Sequence, residues 1–156
     1  MTQPHKYNQI WKSKLSSTFS SPEKDNRIHT ALSILKEGNT LLDVGCGDGC
    51  LGVLAKCKYK SIYGLDISDQ AVQKSIKRGI LAQVYNSDEK FPFRNSYFDT
   101  VTCLDVIGHV EDPKKTISEM SRVLKENGTL IIATPNMRYI KHLYTLFICG
   151  KFPLLS

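Results

Sequence analysis

No stretch of this chain is apolar for long enough to span a bilayer, which excludes a membrane-crossing helix. Residues 1–11 contain no apolar core of a signal peptide, so the cytoplasm is the expected compartment and no stable membrane insertion is expected. The five cysteines, at 46, 50, 57, 103 and 149, are an odd number without a C-x-x-C spacing. They read as reduced, mostly buried thiols rather than a disulfide framework. No histidine stands near Cys46, Cys50 or Cys57, and Cys46 lies inside a glycine run, so no metal is expected there. Internal repeats and low-complexity tracts are absent. The excess of positive charge is modest, +6 with lysines scattered along the chain, so no nucleic-acid partner is expected. What remains is a globular composition, and 156 residues suit one domain with a single core.

Against those absences stands one dense stretch, Thr40-Leu41-Leu42-Asp43-Val44-Gly45-Cys46-Gly47-Asp48-Gly49. An apolar run carries an acid one residue before its end and then breaks into alternating glycines. This predicts a buried parallel strand leading into a loop that takes positive φ and lets a ligand approach the backbone. Residues 50–57 read as a short helix starting at that loop. Strand, glycine loop and helix together are how α/β proteins bind nucleotide-like ligands at the carboxyl end of a sheet.

In chain order, residues 1–20 are a lead-in or lid, with Tyr7 and Trp11 four apart. Ser21-Pro22-Glu23 is a helix start, Ile28, Ala31, Leu32 and Leu35 form its apolar face, and Gly38 is expected to end it. Strands are predicted over 40–44, 61–66, 80–85, 98–104 and 129–133. Ser68 caps a helix over 69–78, and Asp112-Pro113 caps another to Leu124, with Ile117, Met120 and Leu124 expected inward. Residues 91–96 form a loop, and Asn127-Gly128 is expected to turn the chain into the fifth strand. The rhythm predicts an α/β fold, a mostly parallel sheet of about five strands with helices on both faces. Residues 137–149 carry an aromatic and aliphatic stripe that predicts a terminal helix.

The spelling Gly47-x-Gly49-x-x-Gly52, with Asp66 further on, fits a dinucleotide site, so an NAD-dependent oxidoreductase is one reading. Three features oppose it. The first glycine after the strand is Gly45, Asp43 stands near where a pyrophosphate needs positive potential, and Asp88 adds a third acid at the sheet mouth. A ring of carboxylates suits a cationic ligand without phosphates.

Here the sequence resembles the class I, Rossmann-like, S-adenosylmethionine-dependent methyltransferases, within them the type 11 and MetW-like proteins, over about residues 38–136. Residues 42–49 look like their first motif, which contacts the methionine part, and residues 63–68 like the element whose acid holds both ribose hydroxyls. Asn86-Ser87-Asp88 resembles the segment beside adenine, residues 98–110 the fourth strand and its loop, and residues 120–128 the junction to the fifth strand. The resemblance implies S-adenosyl-L-methionine as cofactor, bound by Asp43, Gly45, Gly47, Asp66, Ile67, Asp88 and Leu104. It makes residues 21–136 the methyltransferase domain, with 137–156 a helix and tail, and the last strands of the full family fold are expected to be missing.

Methyl transfer asks mainly for an acceptor held in line, a proximity effect that can supply up to ~7–11 kcal/mol. If the acceptor must lose a proton, His109 is the expected base, with Asp105 behind it. Leu104-Asp105-Val106-Ile107-Gly108-His109 is not the Asp/Asn-Pro-Pro-Tyr/Phe signature of enzymes that methylate amino groups of bases. A small-molecule acceptor, through oxygen, is therefore expected. The MetW-like resemblance leaves a second possibility, a module that binds the cofactor and works by protein contact. Self-association or a protein partner is expected at the fifth-strand edge and the terminal helix.

Overall fold

The computed structural model describes residues 26–86 and 89–134. The lead-in at 1–20, the helix start at Ser21-Pro22, the acid Asp88 and the stripe at 137–149 lie outside the described residues.

The elements run α1 (Asn26–Ile34), β1 (Gly38–Val44), α2 (Cys50–Ala55), β2 (Tyr59–Asp66), α3 (Asp69–Lys77), β3 (Leu81–Val84), β4 (Phe98–Leu104), α4 (Pro113–Val123) and β5 (Leu124–Ala133). The strands form one parallel sheet in the order β3-β2-β1-β4-β5. The chain therefore builds outward from β1 in one direction, then crosses to β4 and builds outward in the other. Between β1 and β4 lies the topological switch point, where open α/β sheets form a crevice beyond the strand ends.

Alternation along β1 divides the core. Leu41 joins Ala31, Leu35, Leu51, Ala55, Tyr59, Ile62 and Ile80 on the face of α1 and α2. Leu42 and Val44 join Leu65, Phe98, Val101, Cys103, Met120 and Val123 on the face of α4. Tyr63, Phe93 and Tyr97 surround Phe98 edge to face, with centroids 4.9–5.4 Å from it. Both faces of the central strands are covered, so Leu41, Leu42 and Val44 of β1 and Phe98, Val101 and Cys103 of β4 are all buried, and so are the polar Asp43, Thr100 and Thr102.

Three local expectations need correction. Gly38 does not end α1 but opens β1, because Lys58 Nζ donates to the carbonyls of Leu32 (2.9 Å) and Leu35 (2.6 Å) and so closes the helix from a distant position. A Cβ at Gly38 would lie 2.8 Å from the Tyr59 ring, so close packing selects this glycine. Ile117 faces outward, and Thr116, Met120 and Val123 are the buried positions of α4. Asn127-Gly128 is not a turn between elements but part of an irregular stretch inside β5. Leu124 pairs Phe98 while Thr129 pairs Thr100, and Asn127 takes φ 63° to absorb the extra residues. The capped starts hold: Ser68 Oγ accepts from Ala71 N–H at 3.4 Å and Asp112 Oδ1 from Lys115 N–H at 3.1 Å. Of the described cysteines, Cys46 and Cys103 are buried, Cys50 is half-buried and Cys57 is exposed.

Candidate functional site

Leaving β1, the chain takes positive φ at Gly45 (75°), Gly47 (54°) and Gly49 (79°), the region where a Cβ is penalised. Gly45 has a second reason to lack a side chain. A Cβ there would come within 2.0 Å of Val106 Cγ2, so the loop after β4 rests directly on it. The amides of Gly45 and Cys46 both donate to the Leu65 carbonyl, at 2.7 and 3.0 Å, which folds the glycine loop over the end of β2.

That fold brings Gly47 N–H to Asp66 Oδ2 at 2.9 Å, while Ser68 N–H reaches Oδ1 at 2.8 Å. Burial raises the Asp66 pKa, opposed by the amides of Ser68, Gly47 and Ile67. Each carboxylate oxygen keeps acceptor capacity beyond the amide it already holds. Asp66 is thus both a brace for the loop and an acceptor left facing the sheet mouth.

Asp43 sits deeper, 4% exposed, and takes the Thr102 hydroxyl at 2.7 Å on Oδ1. Burial pushes its pKa up to about 7, with the Asp66 charge adding to the effect and the Thr102 bond opposing it. By strand alternation it lies on the α1–α2 face, beneath the glycine loop. Cys46 packs against Gly64, where a Cβ would lie 2.6 Å from its sulfur, and burial raises its thiol pKa well above the usual value.

In the alternative glycine register, Gly49 and Gly52 have other work. A Cβ at Gly49 would lie 2.6 Å from Ser75 Oγ, and one at Gly52 2.8 Å from Ile80 Cδ1. Both serve the packing of α2 on the segment around α3. Asp48, in the same loop, is tied to Arg78, whose Nη1 lies 3.3 Å from its carboxylate and donates to its carbonyl at 3.2 Å.

The fourth-strand loop completes the mouth. Asp105 takes φ 58° and donates its N–H to the Ala133 carbonyl at 2.9 Å, and its carboxylate pairs with Arg27 of α1. His109 is exposed, and its N–H donates to the Val106 carbonyl at 2.8 Å. Leu104 packs toward α1 and β5, lining a groove of about 270 Å³ with Arg27, Ala31, Ile131 and Ala133. Among the described residues, two buried side-chain atoms lack a hydrogen-bond partner, Gln70 Oε1 and Asp105 Oδ1. Both follow strand ends at this same edge of the sheet.

The fold therefore gathers Asp43, Gly45, Gly47, Asp66 and Ile67 around one loop, with His109 on the neighbouring one. Leu104 stands apart, on the α1 side. Sequence reasoning did not find Val106, Thr102, Ser75 or Gly64, whose roles depend on partners 61, 59, 26 and 18 positions away respectively, at Gly45, Asp43, Gly49 and Cys46. No local signal marks them.

The family described as methyltransferase domain matches residues 42–132. The chain is 31% identical over 133 residues to the ubiquinone biosynthesis O-methyltransferase of Nitrosomonas europaea, covering 81% of this chain and 56% of that protein. It spans about half the length of the curated relatives it matches. Among solved structures, it resembles a Thermotoga maritima protein described as a SAM-dependent methyltransferase, possible histamine N-methyltransferase, with a TM-score of 0.70 at 22% identity, over 90% of this chain and 64% of that one. It also resembles the geranyl diphosphate C-methyltransferase of Streptomyces coelicolor, solved with S-adenosyl-L-homocysteine, with a TM-score of 0.60 at 23% identity, over 67% of this chain and 44% of that one. These two likenesses concern the fold. With its glycine loop and the acids Asp43 and Asp66 inside the matched span, the chain belongs to the methyltransferase domain family.

Proposed function

We propose that this protein transfers a methyl group from S-adenosylmethionine to an oxygen of a small-molecule acceptor. The observation that carries the reading is the join between Gly47 N–H and the Asp66 carboxylate at 2.9 Å, with acceptors grouped around it. Asp43 and Asp66 are both acceptors near the carboxyl ends of neighbouring strands, close enough for the Asp66 charge to act on Asp43. A ligand rich in donors and positive charge fits such a mouth, and a pyrophosphate does not. The glycine conformations leave the backbone open to close approach at the same place.

In this reading Asp66 takes the ribose hydroxyls with the lone pairs its amides leave free, and Gly45 and Gly47 border the methionine part. Asp43 supplies negative potential from beneath the loop, and Ile67 and Asp88 flank the adenosine side, with Leu104 at the end of β4. When bound, S-adenosylmethionine supplies a methyl group on a sulfonium that departs as a neutral thioether. The chain's own task is then to hold the acceptor in line and exclude water. His109 takes the proton from an acceptor hydroxyl. An oxygen acceptor is supported by the name of the Nitrosomonas europaea relative. A cytoplasmic setting belongs to the same reading, and among the described residues no helix is long and apolar enough to cross a membrane.

Calorimetric titration with S-adenosylmethionine, S-adenosylhomocysteine and NAD tests the cofactor. Binding of the first two and not the third is expected, and a preference for NAD would overturn the proposal. A panel of phenolic and carboxylate acceptors then tests turnover. His109→Ala should lower it while leaving cofactor affinity unchanged. Tight binding of the cofactor with no methylation of any acceptor would favour the binding-module alternative.

A further inference from the structure

We propose that Arg27 and Asp105 form a latch that holds the loop after β4 against the glycine loop, which makes both of them positioning residues for cofactor binding. The inference rests on the reading of the crevice given above.

Asp105 is an expensive residue for its place. Its φ of 58° lies where glycine fits freely and an aspartate fits less well, and one of its carboxylate oxygens is buried without a partner. Glycine would remove both costs. What aspartate adds is a charge, and that charge is spent on Arg27, a residue 78 positions earlier on α1. The pair is well shielded on the Asp105 side, whose side chain is 19% exposed, against 41% for Arg27.

The anchored loop then touches the crevice from this side. Asp105 N–H is tied to the end of β5 at Ala133. The amides of Ile107 and Val106 face the Cys103 thiol and work against the rise in its pKa, which burial dominates. Val106 lies on the α-carbon of Gly45, and His109 N–H closes the turn on the Val106 carbonyl. Releasing the carboxylate from Arg27 frees the residue that aims Val106 at Gly45. Because α1 carries the other half of the pair, the position of that helix and the shape of the crevice are coupled.

The test uses the full chain, with S-adenosylhomocysteine as the probe in calorimetry and thermal melts in parallel. Arg27→Ala and Asp105→Gly should each weaken binding about tenfold or more, and the double variant should be no worse than either single. Arg27→Lys should recover most of the affinity. Asp105→Gly should melt no lower than wild type, a result that a merely structural role does not give. Wild-type affinity in both single variants, or losses that multiply in the double, would overturn the latch. If Asp105→Gly fails to fold, Asp105→Asn keeps the left-handed backbone and removes the charge. If the wild-type chain does not bind the probe, the reading of the crevice fails. The latch is then judged by amide exchange over residues 106–109, where faster exchange in Arg27→Ala upholds it and equal exchange overturns it.

Discussion

Asp43 and Asp66 are two carboxylates one strand apart; burial raises the pKa of both, opposed by the Thr102 hydroxyl at Asp43 and by backbone amides at Asp66. Burial holds Asp43 at about 7, so near neutrality it is about half protonated. Its folded pKa lies above the ordinary 3.8, so the folded state keeps a proton that the unfolded chain has released. The stability this contributes is complete below about pH 3.8 and is lost as pH rises to about 7. Asp43→Asn should therefore match wild type near pH 4 and exceed it by on the order of a few kcal/mol at pH 8, read from urea unfolding. A cationic ligand favours the ionised form, so cofactor binding at pH 7 should release a fraction of a proton in wild type and none in the variant. Titrations in two buffers of different ionisation enthalpy measure that fraction. Asp66 is held by amides instead, and Asp66→Ala should weaken cofactor binding by more than ~1.4 kcal/mol, tenfold. Unchanged affinity in a folded variant would remove Asp66 from the site. Both acids were legible from the sequence as strand-end carboxylates. The depth of Asp43 was not, because it depends on Thr102 and on what covers β1.

Single side chains also decide how elements are held. Arg122 of α4 donates to the carbonyls of Phe91 (3.1 Å) and Phe93 (2.9 Å), to Asn95 Oδ1 (2.8 Å) and to Glu119 (2.6 Å). Glu119 returns an acceptor to Phe91 N–H at 2.8 Å, and its pKa is lowered mainly by Arg122. The 91–97 loop thus gains from one guanidinium the order that a helix would supply with its own backbone. Arg122→Ala should cost about 2–3 kcal/mol of stability, and limited proteolysis should cut within residues 91–97 first. Resistance of that loop to protease in the variant would show that its aromatic packing suffices. At the other edge, Asp99 accepts from Asn39 and Thr40 amides at 2.9 Å each and from Lys125 Nζ at 2.6 Å. Burial opposes its ionisation, but these donors outweigh it and hold the pKa near 2. The bonds join β1, β4 and β5 at their entry, which explains why the chain spends extra residues around Lys125 and Asn127 before pairing resumes. Capping and periodicity made α3 and α4 legible, since Ser68 and Asp112-Pro113 act within their own turn. The end of α1 and the irregular part of β5 were misread, since Lys58 and Asp99 act from far along the chain.

For the molecule as a whole, β3 and β5 are the outer strands among the described residues. Leu81 (58% exposed), Val84 (49%) and Ile132 (39%) place apolar side chains on those strands. Concentration-dependent association is expected, and Ile132→Lys should shift it toward monomer in light scattering. A clean monomer of the unaltered chain at all concentrations would refute this. The sequence by itself determined the architecture: five parallel strands, the glycine loop at the end of the first and an acid after the second. These are written in periodicity, in backbone freedom at glycine and in capping, all of which act over a few residues. Only the tertiary structure decided which partners complete those signals. Val106 came to lie on Gly45, Thr102 bound Asp43, Leu104 turned toward α1, and Arg27 met Asp105. Each joins positions about sixty to eighty residues apart, and such distances close only when a parallel sheet with crossover connections brings its carboxyl ends together.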